Sequence, residues 1–236
     1  MPIRSKHPLP TLALGLIVTA QATEECATAV QCNQVGSAAY QSGRYEQAVE
    51  AFERQLRRAE GSDTAQFELA LNNLILTHLR AGDAGMARAW LGVALDNNLS
   101  GSSTRLHLTK VAEALDYQAL AASPVGRYLR YGGQAVWSEV EITPDPQGGY
   151  RASFSPLRAG ARVEEYGPAA IGGLEGKLEG DAVQMRLQDA GPNGDCAVQL
   201  LREGIELRVL EVFADGCQNY GGAGISVAGD YIKVGR

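Results

Sequence analysis

Positive charge is in short supply in this sequence. Its 21 Lys and Arg are set against 27 Asp and Glu, a net charge of −6. General nucleic-acid binding needs a basic surface to neutralise phosphates, and this balance opposes it. Docking on anionic lipid finds no support either. Aromatic residues make up only 6% of the chain, which places a polysaccharide-binding module last among the candidates. Beyond the first 22 residues, no apolar run is long enough to span a bilayer. Histidine is scarce too: apart from one near the start there are only His78 and His107. No HExxH, no GxSxG and no paired Cys/His signature is present. Gly221-Gly222-Ala223-Gly224 lacks the Lys-Ser/Thr of a phosphate loop and leads into a strand pattern. Glu139/Glu141 and Glu164/Glu165 are paired carboxylates of the kind a glycosidase uses, but exposed strand faces commonly carry such pairs. A non-catalytic protein without metal or cofactor is expected.

What is present begins with a leader. Arg4 and Lys6 precede a stretch of about 12 residues, Leu9 to Ala20, that is mostly apolar and carries no charge. Ala20-Gln21-Ala22 fits a small-x-small cleavage site. Residues 1–22 therefore read as a secretory signal peptide, and the protein as periplasmic or secreted. Without Arg4 and Lys6, 19 basic residues remain against 27 acidic ones, or −8.

Four cysteines, Cys26, Cys32, Cys196 and Cys217, favour disulfides in an exported chain. They fall into two local pairs, Cys26–Cys32 and Cys196–Cys217. Closing the second loop stabilises by about 3 kcal/mol in the chain-entropy model. Six residues along an ideal helix would hold the first pair roughly 9 Å apart, beyond disulfide reach. Cys26 must then lie in irregular chain before the helix and fold back onto its first turn.

From Gln31 to about Ala122 the sequence has helical periodicity and almost no proline. Val35-Gly36, Tyr40, Gly43-x-Tyr45, Ala48 and Phe52 place small residues where two helices touch and aromatic rings between them. A second set follows: Leu71, Leu74 and Ile75, then Ala81-Gly82-Asp83, then Ala87, Leu91, Ala94 and Leu95. Gly43 to Gly82 and Ala48 to Ala87 are both 39 residues apart. A third helical segment has Ser103 or Thr104 as its N-cap, and Leu106, Leu108, Val111, Leu115 and Leu120 to cover the last unit. Residues 23–122 thus resemble a tetratricopeptide-repeat array, a stack of 34-residue helix–turn–helix units, here with a longer period. The resemblance implies a concave groove that grips an extended peptide with the first helix of each unit. Its facing positions would be Asn33, Gln34, Ser37, Tyr40 and Gln41, then Asn72, Asn73, Leu76 and Arg80. The alternative is that these are solvated faces of structural helices. Two units and a cap are marginal alone, so packing on the rest of the chain or self-association is expected.

After residues 123–132, read as a linker, the pattern changes to alternation of period two with frequent glycine turns. Residues 133–236 read as an antiparallel β-barrel or sandwich. "GRYLRY" and "GDYIKV" carry glycine and tyrosine at both ends of this half, a pattern suited to closing a sheet on itself. "CQNYGGAGISVAGDY" either presents Asn219 and Tyr220 to a partner or forms a tight crossover where glycine admits close backbone approach. The architecture is loosely similar to small cysteine-bridged barrels of bacterial envelope proteins, including lysozyme inhibitors.

The expected fold is α+β in two domains. The expected role is an exported protein-interaction protein, an envelope adaptor or assembly factor with a protein or peptide partner. The runner-up is an inhibitor or immunity-type protein that blocks a cell-wall hydrolase through the β-domain. Whether the helical groove stands open or is filled by the chain's own β-half separates the two.

Overall fold

The computed structural model describes residues 25–161, 163–187, 197–212 and 220–236. The proposed leader, the Cys196–Cys217 pair and Asn219 lie outside the described residues.

Six helices open the chain: α1 (Ala29–Gln41), α2 (Tyr45–Ala59), α3 (Thr64–Ala81), α4 (Ala84–Asp96), α5 (Ser102–Ala114) and the short α6 (Tyr117–Ala121). Local signals set their ends. Thr28 and Gln31 form a capping box at the start of α1, each side chain bonded to the other's backbone. Asp63 and Asp83 cap α3 and α4 through Gln66 N and Met86 N. Gly43 and Gly82, at φ of +73° and +81°, make the two hairpin turns. Cys26 and Cys32 are bonded, with Cα atoms 5.0 Å apart. Cys26 precedes the helix, as the rise of an ideal helix demands.

Each helix packs on the next from α1 to α5, and α1 also touches α3, as α3 touches α5. Gly36 sits directly on the Phe52 ring, where a Cβ would collide with it. Ala48, Phe52, Leu71, Leu74, Ile75, Ala87 and Leu91 are buried in one helical core. The cap differs from expectation. α5 begins at Ser102 behind Gly101, and its inward stripe is Thr104, His107 and Val111. Leu106 and Leu108 are 55% and 50% exposed, because that three-and-four spacing turns them to either flank.

The second half is a closed antiparallel barrel in the order β1-β10-β9-β8-β7-β6-β3-β2. The strands are β1 (Gly126–Tyr131), β2 (Trp137–Pro144), β3 (Tyr150–Ser155), β6 (Leu174–Gly180), β7 (Gln184–Leu187), β8 (Val198–Glu203), β9 (Glu206–Glu211) and β10 (Gly229–Gly235). The stretch 123–132 is therefore not a linker: it contains β1, which pairs with both β2 and β10. Pro124 just before it and Gly126 at its start disguise a strand one of whose two partners, β10, lies a hundred residues away. Closure leaves the barrel no free edge. The two closing strands share one device. Gly126 and Gly229 have φ of +141° and +140°. Two residues later, Tyr128 Oη donates to Pro124 O at 2.7 Å and Tyr231 Oη to Val227 O at 2.8 Å. Each tyrosine pins its strand to the chain that enters it, as in a tyrosine corner. Tyr128, Phe154, Leu187, Leu200, Val209 and Tyr231 fill the interior with their neighbours, so it is a packed core.

Between β3 and β6 an arm leaves the barrel. It consists of β4 (Leu157–Arg158), the four-residue α7 (Val163–Tyr166) and β5 (Ala170–Ile171), with β4 and β5 paired. Ser138 Oγ holds its root, bonded to both Leu157 N and Leu157 O.

Candidate functional site

The barrel docks on α4 and on the C-terminal end of α2. Gly85 on α4 meets β10 so closely that a Cβ would collide with the Val234 carbonyl oxygen. One and a half turns on, Trp90 packs edge-on against Trp137 at 4.8 Å and Tyr131 at 5.8 Å between ring centroids. Glu60, just after α2, accepts from Tyr131 Oη at 3.2 Å, Gln134 N at 2.6 Å and Gln134 Nε2 at 3.0 Å. Gln134 and Ala135 both have positive φ, 52° and 55°, a turn conformation costly for residues with a Cβ. Glu60 holds that turn against the helices. At the barrel's other end, Lys233 Nζ donates to Leu120 O at 2.9 Å and Ser123 O at 2.7 Å. Arg202 Nη1 donates to Ala121 O at 2.8 Å. These cations cover carbonyls at the end of α6, where the helix dipole favours positive charge.

Among the described residues, no barrel strand packs on α1 or α3 as β10 does on α4. Gln34, Gln41 and Arg80 are exposed, and Asn33, Ser37, Tyr40, Asn72, Asn73 and Leu76 are half-buried. Among the described residues, no hydrogen bond, ion pair or ring contact joins any of these nine to the barrel. The asparagines are drawn into contacts between helices. Asn73 Nδ2 donates to Asn33 Oδ1 at 2.8 Å, which ties α3 to α1. Asn72 ties α3 to α5: its Oδ1 lies 3.0 Å from His107 Nδ1 and 3.4 Å from Thr104 Oγ1. Burial, with Lys110 nearby, lowers the His107 pKa, so this imidazole stays neutral at pH 7. Tyr40 leans on Tyr45, with ring centroids 5.7 Å apart.

The Asn33–Asn73 bond uses one donor and one acceptor of the pair. Asn33 Nδ2 and Asn73 Oδ1 stand outside that bond, one donor and one acceptor of the kinds that a peptide C=O and N–H can meet. Ser37 and Tyr40 continue the row along α1 from Asn33, and Leu76 and Arg80 continue it along α3 from Asn73, at three-, four- and seven-residue steps. α1 contains no charged residue, whereas α2 carries Glu46, Glu50, Glu53, Arg54, Arg57 and Arg58.

Tyr220 is turned inward. It is 8% exposed, and its hydroxyl bonds Glu211 Oε1 at 2.5 Å. Ser226 Oγ and Val227 N donate to the same oxygen. Burial alone would raise the Glu211 pKa; these hydrogen bonds bring it below the usual value. Gly221 bridges Gly172 at a backbone approach that leaves no room for a Cβ on Gly172. This is the crossover geometry, with the tyrosine as its anchor. His78 lies 3.6 Å from Asp83, and that contact pulls the Asp83 pKa down. Among the described residues, no three His, Cys, Asp or Glu side chains gather as metal ligands.

Sequence reasoning missed Gly85, Glu60 and the Trp90–Tyr131–Trp137 contact. It also missed Arg57 and Arg58, which reach Glu164 of the arm. The only local signal was Arg54-x-x-Arg57-Arg58, three arginines on one face of α2. Comparison with family models, with curated proteins and with solved structures finds no match.

Proposed function

We propose that this is an exported, non-catalytic protein-interaction protein that holds an extended peptide segment of a partner on the face of α1 and α3. One observation carries the reading: among the described residues the chain's own barrel packs on α4 and the end of α2, and not in the same way on α1 or α3. The amide pair Asn33–Asn73 supports it, because the donor and acceptor outside its own bond suit a backbone whatever the side chains. The absence of charge on α1 supports a neutral segment, whose desolvation is cheap, over a charged one. The stacked hairpins favour kinship with tetratricopeptide-type adaptors of the envelope. The Cys26–Cys32 bond supports an oxidising compartment, hence export.

A photo-crosslinking amino acid placed at Gln41, compared with one at Leu210 on the barrel, tests this in envelope extract. The reading expects a protein adduct from position 41 that Ser37→Arg abolishes, with tryptophan emission unchanged. An adduct that survives Ser37→Arg, or one that forms only from position 210, overturns it. The second outcome turns attention to the barrel as the working surface. There the test is protection against a lysozyme-like hydrolase by excess full-length protein.

A further inference from the structure

α2 turns a second set of side chains into a different cleft. Arg54, Arg57 and Arg58 lie at i, i+3 and i+4, on one face. They line a cleft of about 870 Å³ whose other walls are the Cys26–Cys32 loop, Gln34 and Val35 of α1, and Glu164. Arg58 Nε donates to Ala27 O at 3.2 Å, and its Nη1 meets Glu164 Oε1 at 2.8 Å. Arg57 Nε lies 3.5 Å from the same oxygen, and its Nη2 lies 3.5 Å from Glu53. Arg54 Nε, Arg57 Nε and Arg57 Nη1 are buried without a hydrogen-bond acceptor among the described residues. Buried guanidinium N–H groups without acceptors are costly, and a carboxylate is their natural forked partner.

Glu164 is not part of the helical half. The arm carries it there from the barrel, over a hundred residues along the chain. It touches the arginines with one oxygen and is one-third exposed. Next to it, Tyr166 is 71% exposed and Ile171 66% exposed. Each contact is made through a single carboxylate oxygen and not as a forked pair, so among the described residues the arm leaves guanidinium N–H groups unmet.

We propose that this cleft is a peptide-binding site for a segment of a partner protein bearing a single carboxylate, and that Glu164 is its built-in competitor. The occupant follows from the geometry. The site already holds one carboxylate at the tip of a short helical turn. Gln34 and Val35 offer a neutral amide and an apolar contact beside it. Glu25 and Glu50 on the walls repel a second negative charge. A segment with one Glu or Asp among neutral residues fits, and a polyacidic one does not. The site is separate from the α1–α3 face, with Gln34 the one residue on both.

Only molecules with the arm lifted can bind, so the apparent Kd is the intrinsic value divided by that fraction. Replacing Glu164 removes the competitor. The test is anisotropy titration of the full chain with a labelled peptide Ac-VEQYG-NH2, which copies Val163–Gly167 with Gln in place of Glu165 so that it carries a single carboxylate. Glu164→Gln should bind it about fivefold tighter than the unsubstituted chain. Ac-VQQYG-NH2 should not bind. Adding Arg57→Gln and Arg58→Gln to Glu164→Gln should weaken binding more than tenfold, with tryptophan emission unchanged. If that triple variant does not fold, Arg57→Lys in the Glu164→Gln background keeps the charge, loses the fork and should still weaken binding. Ser37→Arg should leave this binding intact, which separates it from the α1–α3 face. Three results would each overturn the proposal: no gain from Glu164→Gln, no loss from the arginine substitutions, or inorganic phosphate displacing the peptide at equal concentration.

Discussion

Lys233 enters the barrel end 1% exposed, with its ammonium on two backbone carbonyls and 5.6 Å from the centre of the Tyr128 ring. Burial, then the nearby Arg202 and Arg236, bring its pKa down to about 8 from 10.5. In the unfolded chain the lysine keeps its proton up to about pH 10.4. Between these values the unfolded state binds more protons, so stability rises with pH through that window. Tyr128 works in the opposite sense above pH 10, because burial raises its pKa to about 12. Urea unfolding of the native chain should show stability climbing from pH 8 towards pH 10 and then falling, because burial also raises the pKa values of Tyr131, Tyr220 and Tyr231. Lys233→Met should remove the climb. A flat profile in the native chain would mean that the two carbonyls fully compensate for burial.

At the scale of elements, α4 on β10 is the contact that organises the molecule. A helix lies about 10 Å from a sheet when side chains fill the space between them, but Gly85 lets the two backbones touch. Gly85→Ala should therefore act as overpacking and cost about 1–3 kcal/mol. The cost should appear as a lower urea midpoint and a red shift of tryptophan emission, since Trp90 is on the same helix. Gly92, on the same helix, meets only the Arg88 side chain, so Gly92→Ala is the matched control and should cost far less. The asparagines show the same economy between helices. Asn33 and Asn73 were read as peptide contacts, yet they also bond each other. Asn73→Ala would weaken the α1–α3 contact as well as any groove, which makes Ser37→Arg the cleaner probe of binding.

At the scale of the whole molecule, the helices and the barrel share an interface of rings, buried cations and a backbone contact. The chain has only two tryptophans, Trp90 and Trp137, and both lie in that interface. Their emission therefore reports on docking and far-UV circular dichroism on secondary structure. The two transitions should coincide in urea if the halves unfold as one unit. A fluorescence change well ahead of the dichroism change would show that the barrel undocks first. Much of each half was legible in the sequence because its signals are local. Thr28, Asp63, Asp83 and the turn glycines punctuate the helices, the helical rise placed Cys26 ahead of α1, and paired Gly-x-Tyr marks announced the closing strands. What could not be read was the backbone contact of Gly85 with β10, Glu60 under the Gln134–Ala135 turn, and the arm's Glu164 on Arg57 and Arg58. In each case the deciding partner is distant in the chain and leaves no periodic trace. By itself, the sequence determined two helical hairpins with a cap, a disulfide at their entrance and an antiparallel β-half, since capping, helical rise and side-chain alternation act between near neighbours. Only the tertiary structure decided that the sheet closes as a barrel and that this barrel packs on α4 through β10. Docking depends on shape and hydrogen-bond complementarity between surfaces brought together from residues as far apart in the chain as Gly85 and Val234.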